Sequence, residues 1–509
     1  MTTARGILMF TAVRLFAADC GGLAGLKLKD TSITASQEVA AGAFVPSSGA
    51  ATPYKTLPAF CRVQGVIKPS AESQIEFEVW LPASGWNGKY QGVGNGGFAG
   101  SIQYALLAAG VQNGYATSST DTGHKGGVTD AEWALGHYDK IVDFGYRAIH
   151  ETADKSKAIV HAFYGGAAKR SYFQGCSNGG RQALLEAQRY PNDYDGIIAG
   201  APANFLTHHI TGFVWNAKAL DAAQIPVNKL KTIEAVALEA CDATDGIKDG
   251  VIDDPTKCHF DPAKLLCSGA ESDACLTEGQ VATLKKIYAG PKNSKGEQIF
   301  PGYLPGGETG FGGWAGWITG AGTVKAFQFQ FAKGFFSDMI FQDAGWDFHK
   351  FDFDRDTKIT DDKGSQNFNA TDPNLKAFKD RGGKLILFHG WADAAIPPVN
   401  TVNYYESVVS NMSPKQADGF VQLYMVPGMQ HCGGGPGPNE FGGVAPNGLD
   451  PEHSMATSLE RWVENGIAPE KVIAKNGART RPLCPYPQIA RYKGSGSTDD
   501  AANFTCAAK

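Results

Sequence analysis

Gly175-Cys176-Ser177-Asn178-Gly179 fits the pattern G-x-S-x-G. A serine hydroxyl is a poor nucleophile at neutral pH and needs a base beside it. Ser171 to Gly175 reads as a short strand, and Ala183, Leu184, Leu185 and Ala187 give the following segment a helical pattern. Strand, sharp turn and helix in that order present a serine hydroxyl at the edge of a sheet. The flanking glycines let neighbouring backbone approach closely. The helix N-terminus supplies amide groups where an oxyanion can form. A plain glycine-rich turn is the bland alternative, so the partners of Ser177 decide.

Those partners must follow in the order acid, then histidine. Asp393 stands in His389-Gly390-Trp391-Ala392-Asp393, after the strand candidate Lys384 to His389. His431 stands in Gly428-Met429-Gln430-His431-Cys432, after the strand candidate Val421 to Val426. Ligands of open α/β sheets bind at this carboxyl edge of the strands. His431 is expected to take the serine proton and return one to the leaving group, while Asp393 orients its ring. His389 precedes the acid and reads as structural; His124, His137, His208 and His209 read as surface or packing residues. Cys176 precedes the nucleophile and Cys432 follows the base, so a bond between them would tie both loops together. A thiol nucleophile at Cys176 would need Cys432 free and is the weaker reading. For the oxyanion, one donor is expected at the N–H of Asn178. The other is expected at Gly96 or Gly97, in the loop after the strand candidate Lys89 to Val93.

Further strands are expected at Gln74 to Leu81, Tyr115 to Ser119 and Gly196 to Ala199, and helices at Ala131 to Thr152 and Asn178 to Tyr190. Strand–helix alternation predicts an α/β sheet covered on both faces. The pattern breaks after Phe205 and resumes at Lys384. The chain therefore divides into an N-terminal segment (1–60), a first core part (61–204), an insertion (205–370) and a second core part (371–509).

Lys+Arg 46 against Asp+Glu 51 gives a net charge of −5, which argues against a nucleic-acid partner. No apolar run reaches the roughly 18 residues of a membrane-spanning helix. The ten cysteines contain no Cys-x-x-Cys pair, which argues against zinc ribbons. They read instead as a disulfide framework in an oxidising compartment, so a secreted or periplasmic location is expected. Local spacing suggests Cys241–Cys258, Cys267–Cys275 and Cys484–Cys506. Arg5 and Gly6 to Val13 resemble a leader that Arg14 interrupts.

Within the insertion, Asp242, Asp245 and Asp249 alternate with backbone carbonyls such as those of Ile247 and Val251. Oxygen donors of this kind suit a hard cation, though the spacing is not that of an EF-hand. No organic cofactor is expected. The aromatic stretch containing Trp314, Trp317, Phe331, Phe335 and Phe336 could clamp a planar acyl group, with Lys333 nearby for a carboxylate or phenol. Most of these rings are expected to form the insertion's own core.

Five segments together, GNGGFAG (94–100), GCSNGGR (175–181), GAPAN (200–204), HGWAD (389–393) and PGMQHC (427–432), resemble the tannase and feruloyl esterase family. The resemblance runs from about Cys61 onward. It implies an α/β-hydrolase core, with a large lid domain inserted after the strand that follows the nucleophile elbow. It implies a serine carboxylic ester hydrolase working through an acyl-enzyme on small aromatic esters, feruloyl (hydroxycinnamoyl) esters foremost. Galloyl esters and mono(2-hydroxyethyl) terephthalate are the alternatives within the family, and an inactive phenolic- or glycan-binding module, or a calcium-dependent adhesive protein, the alternatives outside it. It maps the triad onto Ser177, Asp393 and His431. It implies structural Ca²⁺ on Asp242, Asp245, Ile247, Asp249 and Val251. The implied disulfides are Cys20–Cys61, Cys176–Cys432, Cys241–Cys258, Cys267–Cys275 and Cys484–Cys506. Asn178 and Ile396 depart from the acidic and aromatic residues of the terephthalate-monoester branch, and Ile396 joins Lys333 and Phe335 as a candidate substrate contact.

Overall fold

The structure, a computed structural model, describes residues 19–46, 54–445 and 450–508. The leader-like residues 5–14 lie outside them. Nine strands pair into one sheet: β1 (Thr31–Val39), β2 (Phe60–Ile67), β3 (Ile75–Pro82), β4 (Lys89–Val93), β5 (Ala116–Thr120), β6 (Arg170–Cys176), β7 (Gly196–Gly200), β8 (Lys384–Gly390) and β9 (Val421–Val426). Their spatial order is β1-β2-β3-β5-β4-β6-β7-β8-β9. The β1-β2-β3-β5 pairs are antiparallel and the remaining pairs parallel. Parallel strands covered on both faces read as continuous apolar runs. β7 is buried throughout and β8 at all but its first residue.

Helices cover both faces. Ala148–Tyr164, Asn178–Arg189 and Val399–Met412 pack Ile159, Leu184 and Val408 against Phe173, Ile197 and Leu387. On the opposite face, Met455–Asn465 brings Leu459 and Trp462 onto Ile198, Ile386 and Tyr424. The continuous helix expected over Ala131 to Thr152 does not form. Gly136 adopts φ +78°, and the helix starts only at Tyr138. It passes through a π-turn at Asp143–Arg147 and runs on to Tyr164. β1 lies inside the segment set apart as 1–60; it is a half-exposed edge strand whose polar residues gave no clear alternation.

Between β7 and β8 the chain builds the helices Leu206–Ala222, Val227–Cys241, Glu278–Ala289, Phe327–Gly334 and Arg355–Phe368. Leu230, Ile233, Leu284, Ile287 and Trp314 form a core inside this insertion. A second cluster joins it to the sheet, where Leu206, Phe213, Phe331 and Phe335 meet Phe98, Phe144 and Ile396. All ten cysteines are bridged: Cys20–Cys61, Cys176–Cys432, Cys241–Cys258, Cys267–Cys275 and Cys484–Cys506. Among the described residues no helix is long and apolar enough to cross a membrane.

Candidate active site

β4, β6, β8 and β9 run parallel, so the loops leaving them open on one edge of the sheet. These loops carry Gly97, Ser177, Asp393 and His431. Ser177 sits between β6 and the helix Asn178–Arg189 at φ +65° and ψ −124°. That left-handed region is costly for any residue but glycine and is held by its surroundings. The Ser177 N–H donates to Gly200 O at 3.0 Å, and its carbonyl accepts from Ala203 N at 3.1 Å. A Cβ on Gly175 would fall 2.5 Å from Gly179 O, so the tight turn requires glycine there.

Asp393 is fully buried and collects four donors. Oδ1 accepts from the N–H groups of Ala395 (2.7 Å) and Ile396 (2.9 Å). Oδ2 lies 2.8 Å from His431 Nδ1 and 3.0 Å from His389 Nε2. Burial by itself would raise this carboxyl; His431 and His389 outweigh it and hold Asp393 far below the usual carboxylate range. A carboxylate only accepts, so His431 carries its proton on Nδ1 and leaves Nε2 as a base. His389 donates from Nε2, also to Ile396 O at 3.1 Å, and its Nδ1 pairs with Thr401 Oγ1 at 2.7 Å.

The Cys176–Cys432 bridge holds the two loops with Cα atoms 6.0 Å apart across 256 residues of chain. Ser177 and His431 line one cavity of about 460 Å³, mouth included. Phe98, Phe144, Leu206, Ile210, Phe213, Phe331 and Ile396 make its walls apolar. Trp317 closes one side, edge-on to His431 with ring centroids 5.1 Å apart. Gly97 lines the cavity at φ +55°, and a Cβ there would fall 2.3 Å from Val128 O. Gly96 is exposed and is absent from the lining. Asn178 opens its helix, so its N–H has no acceptor within the helix. Its side-chain Oδ1 accepts from the buried Arg181 Nε at 2.8 Å.

Of the candidate substrate contacts, Ile396 lines the cavity. Lys333 borders a separate surface hollow with Asp130, Glu132 and Lys325. Phe335 packs inside the insertion against Phe336 and Phe368, each at 5.3 Å. Phe331, in the helix Phe327–Gly334, does face the cavity; Lys333, two residues on, points to another side of that helix, and Phe335 stands where the α-helix gives way to a π-helix. His209, set aside as a packing residue, lines the cavity too, with Nε2 2.9 Å from Ala395 O. Its sequence signal was its place in the first helix after GAPAN, three residues past Leu206.

In the acidic loop, Asp242 accepts from the N–H groups of Asp249 (3.2 Å) and Gly250 (3.0 Å). Asp245 accepts from Ile247 N at 2.9 Å, and Asp249 is paired with Arg481 at 2.6 Å. Asp253, which the sequence reading missed, is buried beside them. Burial first, then Asp245, raises it to about 7. Among the described residues no three His, Cys, Asp or Glu side chains stand in metal-binding geometry. The donors are nonetheless all oxygen and crowded with negative charge, which fits a hard cation in chemistry.

The sequence profile described as tannase and feruloyl esterase matches residues 61–507. The chain belongs to the tannase and feruloyl esterase family. All cavity residues named above fall within that match, as do all the cysteines except Cys20. An uncharacterized esterase of Xanthomonas campestris pv. campestris is 43% identical, covering 98% of this chain and 93% of its own. The mono(2-hydroxyethyl) terephthalate hydrolase of Piscinibacter sakaiensis is 36% identical over 89% of this chain and 85% of its own. The crystal structure of feruloyl esterase B from Aspergillus oryzae superimposes with a TM-score of 0.88 at 29% identity, covering 97% of this chain and 100% of that one. Tannin acyl hydrolase from Aspergillus niger gives 0.72 at 25% identity, over 95% and 92% of the two chains.

Proposed function

We propose that this protein is a serine carboxylic ester hydrolase that cleaves esters of aromatic acids, hydroxycinnamoyl (feruloyl-type) esters foremost, with Ser177, His431 and Asp393 as its triad. The observation that carries the reading is the His431–Asp393 hydrogen bond, held by a disulfide beside a strained serine in one apolar cavity. Ser177 Oγ attacks the ester carbonyl and its proton passes to His431 Nε2. The oxyanion is held by the N–H groups of Asn178 and Gly97. Collapse expels the alcohol, which takes the proton from His431. Water then repeats the sequence on the acyl-enzyme and releases the acid.

The ring-lined cavity suits an aromatic acyl group, and the insertion serves as its lid. No lysine or arginine lines the cavity among the described residues, so the free carboxylate of a terephthalate monoester would meet no counter-charge. That favours hydroxycinnamoyl over terephthaloyl esters. The relatives include both feruloyl esterases and a mono(2-hydroxyethyl) terephthalate hydrolase, so the choice rests on the cavity lining. The test compares methyl ferulate, methyl gallate and mono(2-hydroxyethyl) terephthalate. Methyl ferulate should give the highest kcat/KM, and Ser177→Ala should lower kcat at least about a thousandfold. Ferulate binding without turnover by the intact protein would instead indicate a binding module.

Calcium is proposed on Asp242, Asp245, Asp249 and the carbonyls of Ile247 and Val251, where it would neutralise buried carboxylates and brace the insertion. The support is the donor chemistry. Chelation should lower the melting temperature and added Ca²⁺ restore it; a melt unmoved by chelator sinks the assignment. Five disulfides support export to an oxidising compartment.

A further inference from the structure

The turn that carries Asp393 is gripped from the insertion. Ala395 O accepts two hydrogen bonds, from His209 Nε2 and from the Tyr303 hydroxyl, both at 2.9 Å. Gln328 Nε2 donates to Ala394 O at 3.0 Å and to the Tyr303 oxygen at 2.6 Å. Asn216 Nδ2 holds Gln328 Oε1 at 2.9 Å. All four side chains belong to the insertion and all are at least nine-tenths buried. The peptides they hold are the ones whose N–H groups, at Ala395 and Ile396, donate to Asp393 Oδ1.

The insertion also holds the loop of the base. Gln430, the residue before His431, accepts from Gly312 N at 3.0 Å and donates to Thr309 O at 2.5 Å. A carbonyl cannot donate, so the bond to Ala395 requires a proton on His209 Nε2. Burial drives His209 down to about 4, so the ring stays neutral with that proton in place across ordinary pH.

We propose that the insertion is a positioning element for the Asp393–His431 pair, with Tyr303 and His209 as the residues that fix the acid's turn, so that the core alone does not set catalytic geometry. This rests on the hydrolase reading above and deepens it. Hydrogen bonds in a buried, low-dielectric network hold what they join more firmly than exposed ones, and here only His209 Nδ1 is left without a partner among the described residues of the network. Small displacements of a catalytic group are costly in rate even when no substrate contact changes.

The test uses the full-length protein and p-nitrophenyl acetate, a substrate too small to need the insertion's aromatic walls. Active-site titration counts competent sites, so kcat is expressed per site. Tyr303→Phe and His209→Leu should each lower kcat per site about five- to tenfold with KM within about twofold, and the double variant about fiftyfold. His209→Gln, whose amide can still donate to Ala395 O, should keep most of the activity. An unchanged kcat per site, with only fewer competent sites or a higher KM for methyl ferulate, overturns the proposal and leaves the insertion a cover. Because Tyr303→Phe removes a single oxygen, it decides the matter even where His209→Leu fails to fold. Activity that survives Ser177→Ala would instead bring down the hydrolase reading itself.

Discussion

Asp393 has no lone pair left to lose: two backbone amides take one oxygen, two imidazoles the other. His389 therefore does more than fill a strand end. It shares Oδ2 with His431 and so sets the direction from which the base is held. A hydrogen bond to a charged group contributes about 1.5–3 kcal/mol. His389→Leu should lower kcat about ten- to a hundredfold with little change in KM, whereas His389→Gln, which keeps a donor near Nε2, should recover part of it. Steady-state kinetics on methyl ferulate read this; equal kcat in wild type and the leucine variant rules the role out. The placement of Ser177, Asp393 and His431 at one edge of the sheet was legible because each follows a strand and two sit beside cysteines. His389 and His209 were not, because a histidine's partners come from turns and helices far away in sequence. Nothing local separates a histidine that braces a catalytic carboxylate from one that packs.

At the level of elements, two disulfides of similar chemistry have different work. Cys176–Cys432 joins the ends of β6 and the loop after β9, beside both Ser177 and His431. Cys241–Cys258 closes a 17-residue loop around the acidic segment, away from the cavity lining. Removing either should cost stability, typically about 2–5 kcal/mol for a native bridge. Only the first should cost chemistry. Cys176→Ala/Cys432→Ala should lower kcat per active site at least about a hundredfold, while Cys241→Ala/Cys258→Ala should lower the melting temperature with kcat per site nearly unchanged. A kcat per site that neither double variant lowers would show that the bridges serve stability alone. The parallel strands were readable because burial on both faces forces unbroken apolar runs, as in β7 and β8. β1 was missed because an edge strand with one wet face tolerates Thr, Ser and Gln in no strict order. The helix at 131–152 was misjudged because apolar spacing continues through Gly136, whose backbone turns out of the helix.

Across the whole molecule, buried titratable groups pull stability in opposite directions with pH. Burial raises Asp121 and Glu308 to about 7. Each keeps its proton in the folded state over a range where the unfolded chain has released it, so each stabilises below its ordinary value and loses that contribution as pH rises to about 7. Burial lowers His124 and His209 to about 4. The unfolded chain protonates these between about 4 and 6.5, so their contribution runs the other way, falling toward acid. Between about 4.5 and 6.5 the two sets offset; from 6.5 to 7 only the carboxyls still change. Glu308 isolates one side of this balance. It is fully buried in the insertion, with the Tyr288 hydroxyl at 2.5 Å and Gly306 N at 3.0 Å from its oxygens. A rise from the ordinary 4.5 to about 7 corresponds to roughly 3 kcal/mol lost between those values. Glu308→Gln keeps an amide oxygen for both donors and cannot ionise. Measured by thermal melts in excess Ca²⁺, to hold the acidic loop constant, its stability relative to wild type should climb steadily from pH 5 to pH 7 and then level off. A difference that stays constant across that range would mean the Glu308 carboxyl is ionised in the fold throughout.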